Sequence, residues 1–285
     1  MTPWKTLGAD LHLHTTCSDG AYTPEALAAA ARKANLKTIA VTDHDSVEGI
    51  AAAQRAAEGS GVEVLPGIEL GVALGDDARD EIHIVGLFLD PGNPELCAAA
   101  ERIRSGRLAR ALKMIEKLNH IGVQLRSEEV LAAAGGGSVG RLHIAQALLR
   151  RKRIGTVGEA FQRWLGQGGP AYVARERPSA GEAVRLIHGA GGVAVMAHPA
   201  KTGRDADIPA LIAAGIDGIE VYGGDQARDK EPHYLKLAAA HGLLVGGGSD
   251  CHGTNKDRTL IGQVRLEEER VEALRRRARE WKEKR

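Results

Sequence analysis

The stretch Asp10-Leu-His-Leu-His-Thr-Thr-Cys-Ser-Asp-Gly20 decides how the rest of the chain is read. In a β-strand successive side chains alternate between faces, so His12 and His14 point one way and Leu11 and Leu13 the other. Two imidazoles about 6–7 Å apart along a strand can close on one metal ion, for which neutral histidine is a common ligand. The loop that follows brings Asp19 beside Gly20, a residue that permits a tight turn and so returns a carboxylate toward the same place. A lone His-x-His also occurs in ordinary strands, so the later strand ends have to be read with it.

Outward from this strand the chain alternates. Thr23-Pro24-Glu25 reads as a helix start, with Thr as N-cap, Pro in the first turn and an acid favouring the dipole. The alanine-rich helix 24–34 ends near Asn35. Residues 37–42 (KTIAVT) form a short buried strand with Asp43-His44-Asp45 at its carboxyl end. Ser46 can cap a helix over about 47–58 that stops at Gly59. Strand three, 62–70, carries Glu69, and the polar turn Gly75-Asp76-Asp77 leads to strand four, 81–89, with His83. Short apolar strands alternating with helices argue for a parallel α/β sheet or barrel.

Between Asp90 and Pro178 that rhythm stops. This block reads as helices over about 94–119, from Ser127, 141–151 and 157–165, with Thr156-x-x-Glu159 as a capping box. It is expected to be a helical insertion, residues 92–172, over one face of a domain made of 1–91 and 173–285. The alternation resumes with a capping box at Ser179-x-x-Glu182 and a strand over 192–197 ending in His198-Pro199. A helix over 207–214, a strand over 215–222 and a helix over 228–240 follow. A seventh strand, 243–248, ends in Ser249-Asp250-Cys251-His252. The tail from Glu267 mixes both signs of charge and reads as a solvated helix.

The polar residues fall at one end of these strands. His12, His14, Asp19, His44, Glu69, His83, His198, Asp250 and His252 all stand on strands or just beyond them, where ligands gather in α/β folds. So many buried polar groups would destabilise an ordinary core. His120, His143, His188, His233 and His241 lie on or beside helices and carry no such pattern. A set this large exceeds what one ion takes, which implies two or three divalent ions. Imidazole mixed with carboxylate and lacking thiolate suits Mn, Fe or Zn, with Mn favoured, and disfavours Mg or Ca. Clustered ions of this kind make hydroxide from water and clamp the oxygens of a phosphoryl displacement, so phosphoester hydrolysis is the expected chemistry.

Composition narrows the classes. The chain has 285 residues, enough for one large α/β domain with an insertion. Its 38 basic and 37 acidic residues leave a formal charge of +1, so no global field points to nucleic acid or to a membrane. Cys17, Cys97 and Cys251 form no CxxC pair and suit a reducing compartment. The opening Met-Thr-Pro-Trp-Lys has no apolar signal core, and no long apolar run follows. A cytoplasmic protein with no membrane or protein partner is expected.

In HLH at 12–14 with SDG at 18–20, TDHD at 42–45, HP at 198–199 and SDCH at 249–252, the chain resembles the polymerase and histidinol phosphatase (PHP) family. PGIE at 66–69 and HIVG at 83–86 add the two ligands that the family places between these motifs. The resemblance covers about 1–90 and 178–255. It implies an α/β fold, a distorted seven-stranded (β/α) barrel. It further implies one ion on His12, His14, Glu69 and Asp250, a second on Glu69, His83 and His198, and a third on Asp19, His44 and His252. Some relatives carry His where this chain has Asp19.

Arg102, Arg104, Arg107 and Arg110, followed by Gly140-Arg141-Leu-His143, resemble the nucleoside-bisphosphate phosphatase group of that family. That resemblance implies removal of the 3′-phosphate from 3′,5′-bisphosphonucleotides, giving the 5′-mononucleotide and phosphate. The alternatives in view are a 5′→3′ exoribonuclease acting on short RNA at the same site, a phosphatase of the histidinol-phosphate type, and a non-catalytic metal-binding scaffold, which the full ligand set disfavours. Arginine suits a second phosphate through its bidentate fork, and Arg104 and Arg107 lie three apart on one helix face. Substrate contacts are expected from Arg104, Arg107, Arg141 and His143. Asp45 and His143 are the candidates for proton transfer by position alone.

Overall fold

The computed structural model describes residues 8–74, 82–224, 228–255 and 261–284. In chain order, β1 (Gly8–Leu13), α1 (Pro24–Lys33), β2 (Leu36–Val41), α2 (Ile50–Ala57), β3 (Glu63–Val72) and β4 (Ile82–Leu87) make the first half of the sheet. The long α3 (Pro94–His120), α4 (Ser127–Ala134), α5 (Arg141–Arg150) and the short α6 (Val157–Ala160) follow, α6 running on into a π turn at Phe161–Leu165. Then come α7 (Ala180–Gly189), β5 (Val193–Met196), α8 (Pro199–Thr202), α9 (Ile208–Ala213), β6 (Gly218–Gly223), α10 (Glu231–His241), β7 (Leu244–Gly248) and α11 (Glu268–Glu283). Among the described residues no helix is long and apolar enough to cross a membrane.

The strands lie in sequence order, β1 to β7, as a nearly closed seven-stranded α/β barrel. Closure is made by β7 against β1. Leu13 bridges Cys251 in parallel, His14 N donates to Cys251 O at 3.1 Å, and Ser249 N donates to Asp10 Oδ1 at 2.7 Å. Glycine allows that approach: a Cβ on Gly248 would meet the His12 backbone nitrogen at 2.4 Å.

One expectation is corrected. β4 runs antiparallel to both β3 and β5, whereas β1–β3 and β5–β7 are parallel runs. Residues 73–81 are too few for the dozen or so that a parallel crossover requires, which leaves β4 to pair antiparallel with β3. The turn expected at Gly75-Asp76-Asp77 lies outside the described residues. The reversal has a consequence for the site. His83 is near the start of β4, and only an antiparallel strand brings that start to the end of the barrel where the other strands finish.

Packing follows the amphipathic pattern. Leu27, Ala28 and Ala31 of α1 and Ile50 and Ala53 of α2 bury against Ile39 and Val41 of β2. α1 is started as expected, by Thr23 accepting from Ala26 N, a cap of about 1 kcal/mol. α2 starts later than expected, at Ile50, because Ser46 caps only the local turn by accepting from Glu48 N at 3.3 Å. Val271, Leu274 and Ala278 of α11 pack on Leu11, Leu65 and Val195 from the strands. The helices between β4 and α7 form a separate apolar cluster, with Met114, Leu118, Ile144, Leu148 and Leu165 at its centre. The amino-terminal part of α3 instead joins the barrel's own cluster through Leu96, Ala99 and Ala100.

Candidate metal centre

The strand ends bring the expected residues together. His12, His14, Glu69 and Asp250 offer ligand atoms that all lie within 4.8 Å of one another. So do His14, Asp19, His44 and His252, and so do His44, Glu69 and His83. The grouping differs from the expected one in two ways: His14 and His44 each belong to two groups, and His198 enters through Glu69, its Nε2 3.2 Å from Glu69 Oε1. Glu69 is the hub. Its Oε1 lies 2.7 Å from His83 Nδ1, and its Oε2 lies 3.0 Å from His44 Nδ1 and 3.2 Å from both His12 Nε2 and His14 Nε2.

Local structure explains the convergence. The loop after β1 is pinned by Asp43, whose carboxylate accepts from Thr15 N at 2.7 Å, from the Thr15 hydroxyl and from the Ser18 hydroxyl. Gly20 then turns the chain so closely under His14 that a Cβ there would sit 2.4 Å from the His14 carbonyl oxygen. That places Asp19 Oδ1 3.2 Å from His252 Nε2. Asp45, His198 and Asp250, all at the mouth, have positive φ of 53°, 33° and 53°. Non-glycine residues adopt such backbone only where surrounding contacts hold them, a pattern found at functional sites.

Electrostatics divides the groups. Burial would raise Glu69, but His44, His12 and His83 outweigh it and hold the carboxyl well below its usual range. Asp19 is likewise held low by His252 and His44 against its burial. Burial pushes His44 well below the usual imidazole range and lowers His198 as well. His14 is pushed up to about 9, the neighbouring carboxylates of Asp250 and Glu69, 3.3 and 3.2 Å from its Nε2, overcoming its burial. His12 is raised by Glu220 and Glu69 in the same way. Carboxylates held ionised beside imidazoles that hold a proton only because of them are groups from which a cation displaces that proton.

The donor set fits divalent metal. His12 Nε2, His14 Nε2, His44 Nδ1, Glu69 Oε2 and His252 Nε2 are buried and have no hydrogen-bond partner, although they crowd one space. Buried polar atoms left in that condition cost stability, and a shared cation is what would satisfy them together. The same residues offer imidazole nitrogen and carboxylate oxygen with no thiolate, a set suited to borderline divalent ions.

The arginines separate by role. Arg107 Nε and Arg175 Nη2 both donate to Asp45 Oδ2, the latter at 2.7 Å, and Asp45 is fully buried. Arg107 and Arg141 line one small, partly open pocket at the start of α5, and Arg141 also lies over the Phe161 ring, 5.5 Å from its centroid. His143 is buried with Nδ1 accepting from Gly140 N at 3.0 Å, so as a neutral ring it presents Nε2–H. Burial lowers it, which favours that neutral form. Arg104 pairs with Glu48 and Glu101 at the rim. Arg102 is exposed and pairs with Glu182, whereas Arg110 is buried and donates to Val173 O at 2.7 Å.

Several residues at the site carry little signal in the sequence. Arg175 lies in the 171–178 connection, which shows neither periodicity nor motif. Asp10 is overshadowed by the histidines after it, yet it holds Ser249 N, and burial pushes it up to about 6. Glu220 sits in a strand with no expected ligand; a lone acid among Gly-Ile and Val-Tyr, in a strand otherwise apolar, is the one signal that could have found it.

Comparison with known proteins agrees with this geometry. A family model of the PHP domain matches residues 10–165. The 3′,5′-nucleoside bisphosphate phosphatase of Chromobacterium violaceum is 37% identical over 264 residues, covering 90% of this chain and 90% of that protein. The 5′-3′ exoribonuclease Rnm of Escherichia coli is 33% identical over 250 residues, covering 85% and 84%. A solved structure from Bifidobacterium adolescentis, described as a metal-dependent phosphoesterase, superposes with a TM-score of 0.86 at 33% identity over 95% of this chain and 96% of that one.

Proposed function

This chain belongs to the PHP family of phosphoesterases and hydrolyses phosphate esters, and we propose from that premise that it removes the 3′-phosphate of 3′,5′-bisphosphonucleotides. The observation that carries the reading is the cluster of buried, partnerless lone pairs at the barrel mouth, with the Arg107–Asp45–Arg175 array beside it. On this reading His12, His14, Glu69 and Asp250 hold one ion, Glu69, His83 and His198 with His44 a second, and Asp19, His44, His252 with His14 a third. Manganese is favoured over iron or zinc. Such ions supply an activated water and neutralise phosphate charge.

The chain's own residues then decide which ester reaches the mouth. Asp45 anchors Arg107 and Arg175 rather than moving a proton. Arg107, Arg141 and the Nε2–H of His143 grip the phosphate that stays, and Arg104 adds charge at the rim. Residues 92–172 serve as a cap inserted into a barrel of 1–91 and 173–285. A second reading has specific support, since the exoribonuclease relative spans most of the chain. Gripping a 5′-phosphate on RNA would present the first internucleotide ester to the same mouth, so short RNA needs no second site.

The test compares kcat/KM for a 3′,5′-bisphosphate and a 3′-monophosphate in wild type, Arg107→Ala and Arg141→Ala. The bisphosphate should be preferred. Each variant should lose about ten- to a hundredfold on it, as expected for a charged hydrogen bond, with little change on nitrophenyl phosphate. Equal efficiency on both nucleotides in wild type would mean that no second phosphate is read, and the bisphosphatase assignment would fail.

A further inference from the structure

Glu220 is buried on β6 and reaches two of the centre's residues at once. Its Oε1 lies 2.9 Å from His12 Nδ1, and its Oε2 accepts the backbone N–H of His198 at 2.7 Å. The far nitrogen of His12, Nε2, lies 3.2 Å from Glu69 Oε2 and 3.7 Å from Asp250 Oδ1, among the partnerless atoms of the mouth. His198 sits in left-handed backbone at φ 33° and its ring stacks on that of His12 with centroids 5.8 Å apart.

Resting on the metal-centre reading above, we infer that Glu220 is a positioning residue for that centre. It keeps the proton of His12 on Nδ1, so that Nε2 offers its lone pair to the ion, and it holds the strained turn that aims His198. The inference follows from donor counting. A carboxylate only accepts, and each of its oxygens faces a donor here: the Nδ1–H of His12 and the N–H of His198. A ligating imidazole takes its orientation and tautomer from the partner on its other nitrogen.

An amide of the same shape cannot do both. In Glu220→Gln one end becomes an NH2 group. If the amide oxygen keeps the His198 N–H, the NH2 faces His12 Nδ1 and favours the tautomer with its proton on Nε2, where the lone pair is needed. If the oxygen keeps His12, the NH2 opposes the His198 N–H. Either way the fold loses little volume and the centre loses a correctly aimed ligand.

The experiment titrates Mn²⁺ into chelator-stripped full-length wild type and Glu220→Gln, and follows the melting of both stripped proteins. The variant should bind at least one ion about ten- to a hundredfold more weakly, the usual effect of losing such a partner, while its stripped melting point stays near that of wild type. Equal affinities would overturn the inference. A second measurement needs no variant: in wild type loaded with diamagnetic Zn²⁺, nitrogen-resolved imidazole NMR should find the His12 proton on Nδ1. A proton on Nε2 would also overturn it. If wild type takes up no metal at all, the metal-centre reading itself fails, an outcome distinct from either of these.

Discussion

Glu69 and Asp217 are both buried carboxylates, one at the mouth of the barrel and one at its floor, before β6 begins. Asp217 is fully satisfied. His188 Nε2 lies 2.7 Å and Ala194 N 2.9 Å from its Oδ2, while Arg277 Nη1 and Trp281 Nε1 each donate to its Oδ1 at 3.1 Å. These contacts fasten α7, β5 and α11 to one point. Glu69 Oε2, in contrast, faces ring nitrogens of His12, His14 and His44 within 3.2 Å without a hydrogen bond to any. The floor is a joint complete within the chain, and the mouth is an array of acceptors arranged for something positively charged. Both are buried carboxylates; the count of donors separates them.

The comparison would break most visibly at Glu69. Replacing it with Gln should weaken metal uptake by more than about a hundredfold, beyond the range seen for residues that merely support ligands, and should abolish most phosphoesterase activity. The stripped variant should also melt lower than stripped wild type, because a carboxyl held low in the fold by His44, His12 and His83 contributes stability that its neutral isostere lacks. Metal analysis together with calorimetry checks both halves. Unchanged uptake of more than one equivalent would remove Glu69 from the centre.

At the floor the loss should be of stability alone. Asp217→Asn keeps the shape but turns one acceptor into a donor facing donors, and should cost about 2–3 kcal/mol of stability with metal content intact. Burial works to raise Asp217, but the hydrogen bonds from His188 and Ala194 N overcome it and hold the group below its usual value. A depressed carboxyl stabilises the fold in full above its unfolded value of about 3.9, and that contribution is lost as pH falls through the folded value. The gap between wild type and variant, read by urea unfolding, should therefore hold from neutral pH down to about 5 and narrow below about 4. A constant gap down to pH 3 would show that the charge contributes nothing.

How much of this was legible in the sequence differs between the two ends. The mouth was legible because metal chemistry restricts residue types: few structural roles gather so many histidines and acids at the ends of apolar runs. Seven strands were legible from the same apolar runs. The direction of β4 was misjudged, although the shortness of 73–81 held the information. The floor was illegible. Asp217 looks like any acid near the start of a strand expected over 215–222; its partner His188 comes from a helix recognised only by its capping box, and Arg277 and Trp281 come from the tail, whose mixed charges read as solvated. Arg110 is the same lesson within the cap: on a basic helix stretch it looked like its neighbours, yet it is buried against Val173 O and the Tyr172 ring. Partners distant in sequence leave no local periodicity to read.

The smallest test sharpens the floor. Trp281 makes two contacts there, its Nε1–H donating to Asp217 Oδ1 and its ring stacking on His188 with centroids 3.7 Å apart and planes 17° from parallel. Trp281→Phe removes the donor and keeps an aromatic face on His188. Asp217 Oδ1 retains Arg277, so no acceptor is left bare and the loss should be about 1 kcal/mol, that of one hydrogen bond. In an Asp217→Asn background the same change should cost measurably less, because the two residues share the bond. Metal content and kcat/KM should stay at wild-type values in the single variant, since the floor holds α11 and touches nothing at the mouth. Additive losses in the double variant would mean that the Trp281 donor is idle and that α11 is held by its apolar face alone.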